Sequence, residues 1–590
     1  MPDLTLLERL KQRKIVQRGL AYLAGAFVVF QAVEVMAEPW GISPTVQRTV
    51  HVLLLVGFFV QLVLAWYHGE QGRQRISGME TLILGALLLI AGLGISLVRD
   101  REAPLGTAGP IASTDPGDGR PRIAVLPCEN FSANAEDAHL AAGLHDQILL
   151  QLQKISSLFS IGRKSVEWYL ENPAPPGQIA IELGVGFLGE CSVQKEGERI
   201  RLTFQLFDGR TQGQLWAENY DEALTANSLF QIQSDIALKV ALGIGAILTP
   251  DERARIETAQ TENLEAYDLY LLGRRRWTTR SPETIREAIS YFERAIDADS
   301  TFALAYSGLA DSYAVLPFHD PTTDPLDILD AARSAAWKAL ELDPDHGEVH
   351  ASVGFITLAY DWDLVLAEEH LSRAVALAPG YANGHGWYAS LLAAHGRHEE
   401  AVAAAEKAVA MDPWSNVLVW IAGERAERAG NFQRARVHLS RLQEMEPPVI
   451  WGLATFAWNL ATFDPVDAEA AVQVYSGFLS FLGYPFPDRA SAWVEALTTP
   501  DSEDRRIAGE LLEDVVLRTP MSRADLLLEY SRGAPADLFF SALEEAIGKR
   551  HFWVAFVPTF FKIQDHPLRL DITEDVRWRQ FLSEFSQASS

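Results

Sequence analysis

Hydrophobic positions change their period three times along this chain. Three uninterrupted apolar stretches come first, at 19–37, 50–67 and 81–98, each about the length a helix needs to cross a hydrocarbon layer of roughly 30 Å. Residues 99–121 are rich in Pro, Gly and small polar residues with no apolar period, and read as a flexible tether reaching roughly 25 Å as a coil. From Arg122 short apolar runs alternate with helical ones. The pattern predicts strands at 123–127 and 158–161 and a helix over 135–154, with Leu140, Leu144, Ile148, Leu149 and Leu152 on one side. A short helix at 175–183 leads to a hairpin, 187–194 with 199–208, that turns at Gly197. A strand at 215–220 and an amphipathic helix at 228–248 close this domain, 122–250. Such an order implies a mixed sheet covered by helices.

Beyond residue 264 the pattern is helical and periodic. Pro344, Pro379, Pro413 and Pro447 stand 35, 34 and 34 residues apart. Five residues before each comes Ala339, Ala374, Ala408 or Leu442, and seven before those comes Ala332, Ala367, Ala401 or Ala435. Two helices that cross closely need a small side chain at the crossing, and a proline ends the second because it lacks the N–H of the helical ladder. The period is that of the tetratricopeptide repeat. Five units fit 264–447, the second with an insertion at 317–325 and the third turning through 360–363. Residues 448–590 read as degenerate helical repeats and a C-terminal cap.

Several strings resemble a known family. RIAVLPCENFS (122–132), AAGLHDQILLQL (141–152), IAIELGVGFLGECSV (179–193), IRLTFQLFDGRTQGQLWAENYD (200–221) and FQIQSDIA (230–237) look like the TolB N-terminal-like, FlgO-related domain of bacterial membrane proteins, which is often followed by tetratricopeptide repeats. Three leading spans with a basic start resembling 10–37 recur in that architecture. The resemblance implies a periplasmic interaction or signalling scaffold and supplies no catalytic residue. Cys128 and Cys191 depart from it, standing where the family usually has phenylalanine and glycine.

The fold class expected is therefore multidomain: three transmembrane helices, an α/β domain with a mixed sheet, then an all-α tetratricopeptide-type superhelix. Lys/Arg asymmetry orients the spans. Seven basic residues lie in segment 1–18 and the loop between spans two and three, against three on the other side, which puts the N-terminus in the cytoplasm and the remainder in the periplasm, with the bilayer as a partner. Glu34 and His51 are the ionisable groups inside the spans, each near an end, so an interfacial role outweighs an ion path.

The net charge of −28 sharpens this picture. Residues 1–101 hold ten Lys/Arg and seven Asp/Glu, a net of +3, so the rest carries −31. Nucleic acid is excluded as partner, since phosphate binding needs a basic footprint. With two cysteines there is no disulfide-dense scaffold or Cys-rich zinc site. In an oxidising compartment Cys128, at the end of the first strand, and Cys191, within the third, are candidates for one disulfide, with two buried thiols as the alternative.

No phosphate loop, zinc helix or nucleophile elbow occurs. Glu368, Glu369 and His370 read as a solvated helix face, and Trp387 and Tyr388 as core. The chain is expected to be no enzyme and to need no cofactor or metal. Counting from the small crossing residues places Ser307, Asp311, Asn383, Ser390, Trp420, Glu424 and Glu427 on the inner surface of the superhelix, a mix suited to a basic or polar peptide. The leading expectation is a membrane-anchored scaffold binding a protein or peptide. The alternatives are a transducer coupling partner binding to the spans, and an enzyme with its site in the cleft between the α/β domain and the repeats.

Overall fold

The computed structural model describes residues 119–134, 137–320, 322–445, 449–463, 468–498, 502–522, 524–527, 534–556 and 575–588. The chain divides into two units, Met1–Thr107 and Ala108–Ser590, and the described residues all belong to the second.

Six strands form one mixed sheet in the order β3-β1-β4-β5-β6, with β2 also on β4. They are β1 (Arg122–Val125), β2 (Glu129–Asn130), β3 (Phe159–Ser160), β4 (Phe187–Glu196), β5 (Arg199–Asp208) and β6 (Gln214–Ala223). The pairs of β1 with β3 and β4 are parallel, while β4, β5 and β6 run as an antiparallel meander. Along β5 the side chains alternate, Ile200, Leu202, Phe204 and Leu206 being fully buried between exposed or half-buried neighbours. That period of two gives the sheet one core face. Helices α1 (Ala138–Gln153) and α4 (Ala226–Gly243) belong to this core, while α2 (Arg163–Glu171) and α3 (Pro176–Glu182) connect strands. Helix α5 (Pro250–Glu257) leads out of the domain.

Helical hairpins then follow without interruption. The first five are α6 (Leu264–Thr279) with α7 (Pro282–Ala298), α8 (Ala303–His319) with α9 (Pro325–Leu342), α10 (Gly347–Ile356) with α11 (Leu364–Leu377), α12 (Ala382–Ala394) with α13 (His398–Met411), and α14 (Asn416–Arg428) with α15 (Phe432–Arg441). The eight small or apolar residues marked by the period are all buried, none more than 1% exposed. The first helix of each hairpin is also pared down. A Cβ added to Gly308 would lie 2.5 Å from the Phe292 ring, one on Gly354 2.6 Å from Leu371, and one on Gly423 2.6 Å from Leu439. The third unit, 345–379, is one residue longer than the fourth, 380–413. Thr357–Asp361, at the end of its first helix, winds as a π-helix, which takes up an extra residue without breaking the stack.

The stack continues through α16 (Ile450–Phe463) with α17 (Ala468–Phe481) and α18 (Ala490–Thr498) with α19 (Ser502–Arg518). After α20 (Ala536–Gly548) a short 3₁₀ turn, Phe552–Phe556, returns to pack on the π-turn and on α12 rather than only closing the far end. Trp553 is buried edge-on to Trp420 at 6.2 Å. Helix α21 (Val576–Ala588) brings Phe585 to within 6.5 Å of Trp362.

One part of the expected fold class is corrected. The observed architecture is a mixed sheet followed by a long helical stack, and among the described residues no helix is long and apolar enough to cross a membrane. The segments 19–37, 50–67 and 81–98, with Glu34 and His51, lie outside the described residues.

Candidate functional site

The α/β domain sits directly on the turns that join the repeat units. At the end of α1 the Gln153 carbonyl accepts from the Gly380 N–H at 3.0 Å, and a Cβ on Gly380 would meet the Gln153 backbone at 2.8 Å. Glycine is needed there for backbone to approach backbone. One turn further on, Asp412 caps α2. Its carboxylate accepts from the N–H groups of Ser165 at 2.9 Å and Lys164 at 3.3 Å, and from the Ser165 hydroxyl. The Ser165 oxygen in turn accepts from the Trp414 N–H at 2.9 Å. Trp168 and Trp414 stack with planes 3° apart and centroids 4.1 Å apart. Gly143 lets α1 approach Leu271 of α6, and His139 pairs with Asp268 at 2.7 Å.

Between the two domains lies a cavity of about 100 Å³, lined among others by Asp146, Arg163, Arg274, Arg280, Asn383, Asp412 and Asn416. Its acids are engaged. Burial pushes both the Asp146 and the Asp412 carboxyls up to about 6, Asp146 being paired with Arg163 and Asp412 capping α2. Arg274 crosses the inner face to Glu348 at 2.9 Å and ties the first unit to the third.

A second cavity, of about 170 Å³, opens on the inner face of the stack itself. Val315, Phe318, Phe355, Trp387, Trp420 and Ile421 form its apolar wall, with Phe355 and Trp387 stacked at 4.7 Å. Arg280, His319, Asn383, Ser390 and Arg425 supply its polar lining. The two cavities share Arg280, Asn383, Asn416 and Val417.

The seven residues expected on the inner surface separate into two groups. Asn383 lines both cavities, and Ser390 and Trp420 line the larger. The others are buried within the wall. Ser307 shares a 2.8 Å hydrogen bond with Ser352, and burial pushes the neighbouring Asp311 carboxyl up to about 7. Glu424 is held by Arg425 and Arg428, and Glu427 is 5% exposed beside them. The acids that suggested a basic peptide are thus internal. His370 is not on a solvated face either, being buried with its Nδ1 2.9 Å from the Nδ1 of His350. Trp387 is 6% exposed and forms cavity wall as well as core.

Cys128 and Cys191 are joined as a disulfide, with Cα atoms 4.6 Å apart. The parallel pairing of β1 with β4 brings them together. Sequence reasoning missed Arg280, His319 and the Ser165–Asp412–Trp414 dock. A clue to the last was present in Trp414, which directly follows the Pro413 that ends a repeat yet has no role within it. Among the described residues no group of three or more His, Cys, Asp or Glu side chains is placed to hold a metal ion.

No protein-family model matches the chain. It is 31% identical over 265 residues to a protein of Rhizobium meliloti (strain 1021) described as "Putative adenylate cyclase 3", a match covering 45% of this chain and 44% of that protein. The chain therefore spans less than half of that relative. Among solved structures, MamA is similar at 21% identity and TM-score 0.21, over 29% of this chain and 94% of MamA. PilF of Pseudomonas aeruginosa is similar at 20% identity and TM-score 0.29, over 39% and 96% respectively. Yeast Tom70 is similar at 16% identity and TM-score 0.31, over 62% and 79%. Likenesses this slight carry no argument, and the repeat architecture rests on the packing described above. The cyclase relative overturns the expectation that the chain is no enzyme. A protein described as an adenylate cyclase is similar to it over 45% of this chain, so the missing motifs do not decide the matter.

Proposed function

We propose that this chain is a protein-interaction scaffold that holds an extended segment of a partner along the inner face of its helical stack. The observation that carries the reading is the larger cavity. Its apolar wall is built from first helices of successive units, with polar groups placed along it, the arrangement in which a concave groove takes a peptide side chain by side chain. The α/β domain, fixed to the repeat turns through Asp412 and Trp414, lines the smaller cavity, which adjoins that groove through Arg280, Asn383, Asn416 and Val417. Its resemblance to the TolB N-terminal-like domain agrees with a scaffold of this kind. The disulfide supports an oxidising compartment such as the periplasm for this body. Peptide-display selection on the full-length chain tests the reading. Enriched peptides should bind Val417→Arg, which fills the groove, at least tenfold more weakly. No enrichment, or peptides indifferent to Val417→Arg, would contradict it.

A second reading is favoured by the cyclase relative: the shared region serves nucleotide cyclisation, as catalyst or as a regulator of one. Incubating the full-length chain with ATP and Mg²⁺ or Mn²⁺ and following 3′,5′-cyclic AMP tests it. Turnover above a heat-denatured control supports catalysis, and its absence removes the catalytic form.

A further inference from the structure

Arg280 ends α6 in the left-handed region, with φ of +61°. That is the place where a helix usually puts glycine, since a side chain is strained there. Here the side chain is kept, and it is put to a specific use. Its guanidinium lies 3.7 Å from the centroid of the Trp277 ring and faces both cavities. Among the described residues it makes no hydrogen bond and no ion pair, although Asp311 acts on it from a distance. The side chains of Asn383 and His319, which line the larger cavity with it, also make none among the described residues. Burial lowers the Arg280 pKa to about 10, which leaves it charged at neutral pH, and burial together with that charge drives the His319 pKa down to about 3, so the imidazole stays neutral. Arg280 is half-buried against Trp277 with no carboxylate of the described residues hydrogen-bonded to it, so an anion entering the cavity would meet a positioned positive charge. Ser390, Asn416 and Arg425, the last paired with Glu424, add to the polar lining; the remaining wall is largely apolar and aromatic, and at about 170 Å³ the cavity admits a body of about one ring.

We propose that this site binds a small organic anion, a carboxylate carried on an apolar or aromatic body, with the carboxylate on Arg280 and Asn383 and the body against Phe355, Trp387 and Trp420. The planar fork of arginine suits a carboxylate in two-point contact, and the stacked Trp277 holds that fork in place. The cavity is the one the scaffold reading uses, but the two claims are separable: the acid–amide comparison can fail while peptide display succeeds, or the reverse.

Isothermal titration calorimetry on the full-length chain tests it with three probes: phenylacetate, its neutral isostere phenylacetamide, and inorganic phosphate. Phenylacetate should bind at least tenfold tighter than phenylacetamide, and phosphate should fail to displace it at equal concentration. In Arg280→Gln the advantage of the acid over the amide should vanish while amide binding persists. Arg280→Gly removes the backbone strain as well as the charge. It should melt no lower than the unaltered protein and yet show no preference for the acid, which separates lost recognition from lost folding. Equal binding of acid and amide, a preference that survives in both variants, displacement by phosphate, or no binding of phenylacetate at millimolar concentration would each overturn the proposal.

Discussion

Asp412 shows how one side chain both builds the dock and makes it sensitive to pH. Its carboxyl titrates near 6 in the fold and near 3.8 when free, mainly because it is buried. The folded state therefore keeps its proton to higher pH than the unfolded chain does. Stability from this group is gained as pH falls from 6 towards 4, and is lost as pH rises through 6. Comparing urea denaturation of the unaltered protein and Asp412→Asn at pH 7.5 and 5.0, the unaltered protein should gain about 1 kcal/mol relative to the variant on acidification. A difference that does not change with pH would show that Asp412 is not buried as described. Gly308 makes a steric claim of the same directness. Gly308→Ala should cost about 1–3 kcal/mol by overpacking against Phe292, and Phe292→Leu in the same chain should recover part of the loss. At this scale the sequence was readable where a position repeats, as with Ala332 and Ala367. It was silent where a residue acts once. Arg280 looks like any charged residue after a helix until the fold places Trp277 beneath it and two cavities before it.

The elements were legible to the extent that each had its own period. The hairpin of β4 and β5 and helices α1 and α4 follow directly from alternation and amphipathic spacing. Helix α2 was missed because residues 163–171 mix charged and aromatic positions, and Trp168 finds its cover only on Trp414 from another domain. That dependence is testable. Trp414→Ala, which removes the stack on Trp168, should leave the repeats folded and speed hydrogen exchange in 163–171 at least tenfold. Unchanged exchange there would mean that the dock does not order α2. The Cys128–Cys191 link closes a loop with a separation of 63 residues. On the chain-entropy account, Cys128→Ser should cost roughly 4 kcal/mol, read as a lower melting point confined to the α/β domain. A melting point unaffected by reductant would show that the two thiols are not bonded in solution.

Across the whole molecule, a stack of hairpins was readable because every unit repeats the same crossing, whereas the way the chain folds back on itself was not. The return of Trp553 to Trp420 and the seating of the α/β domain on the repeat turns join residues more than a hundred positions apart, with no local pattern to announce them. Contacts within the stack decide which inner-face residues stay available. They leave Asn383 and Val417 lining the cavities while Glu424 and Asp311 are absorbed into the wall. The central claim is that partners enter by this inner face. Site-specific photo-crosslinking in living cells tests it most directly, with benzoylphenylalanine placed in the full-length chain at position 383 or 417 and, as control, at the exposed position Trp337 on the second helix of the second unit. Discrete crosslinked products at 383 and 417 and none at 337 are expected. Products at 337 alone, or equally at all three positions, would contradict the account.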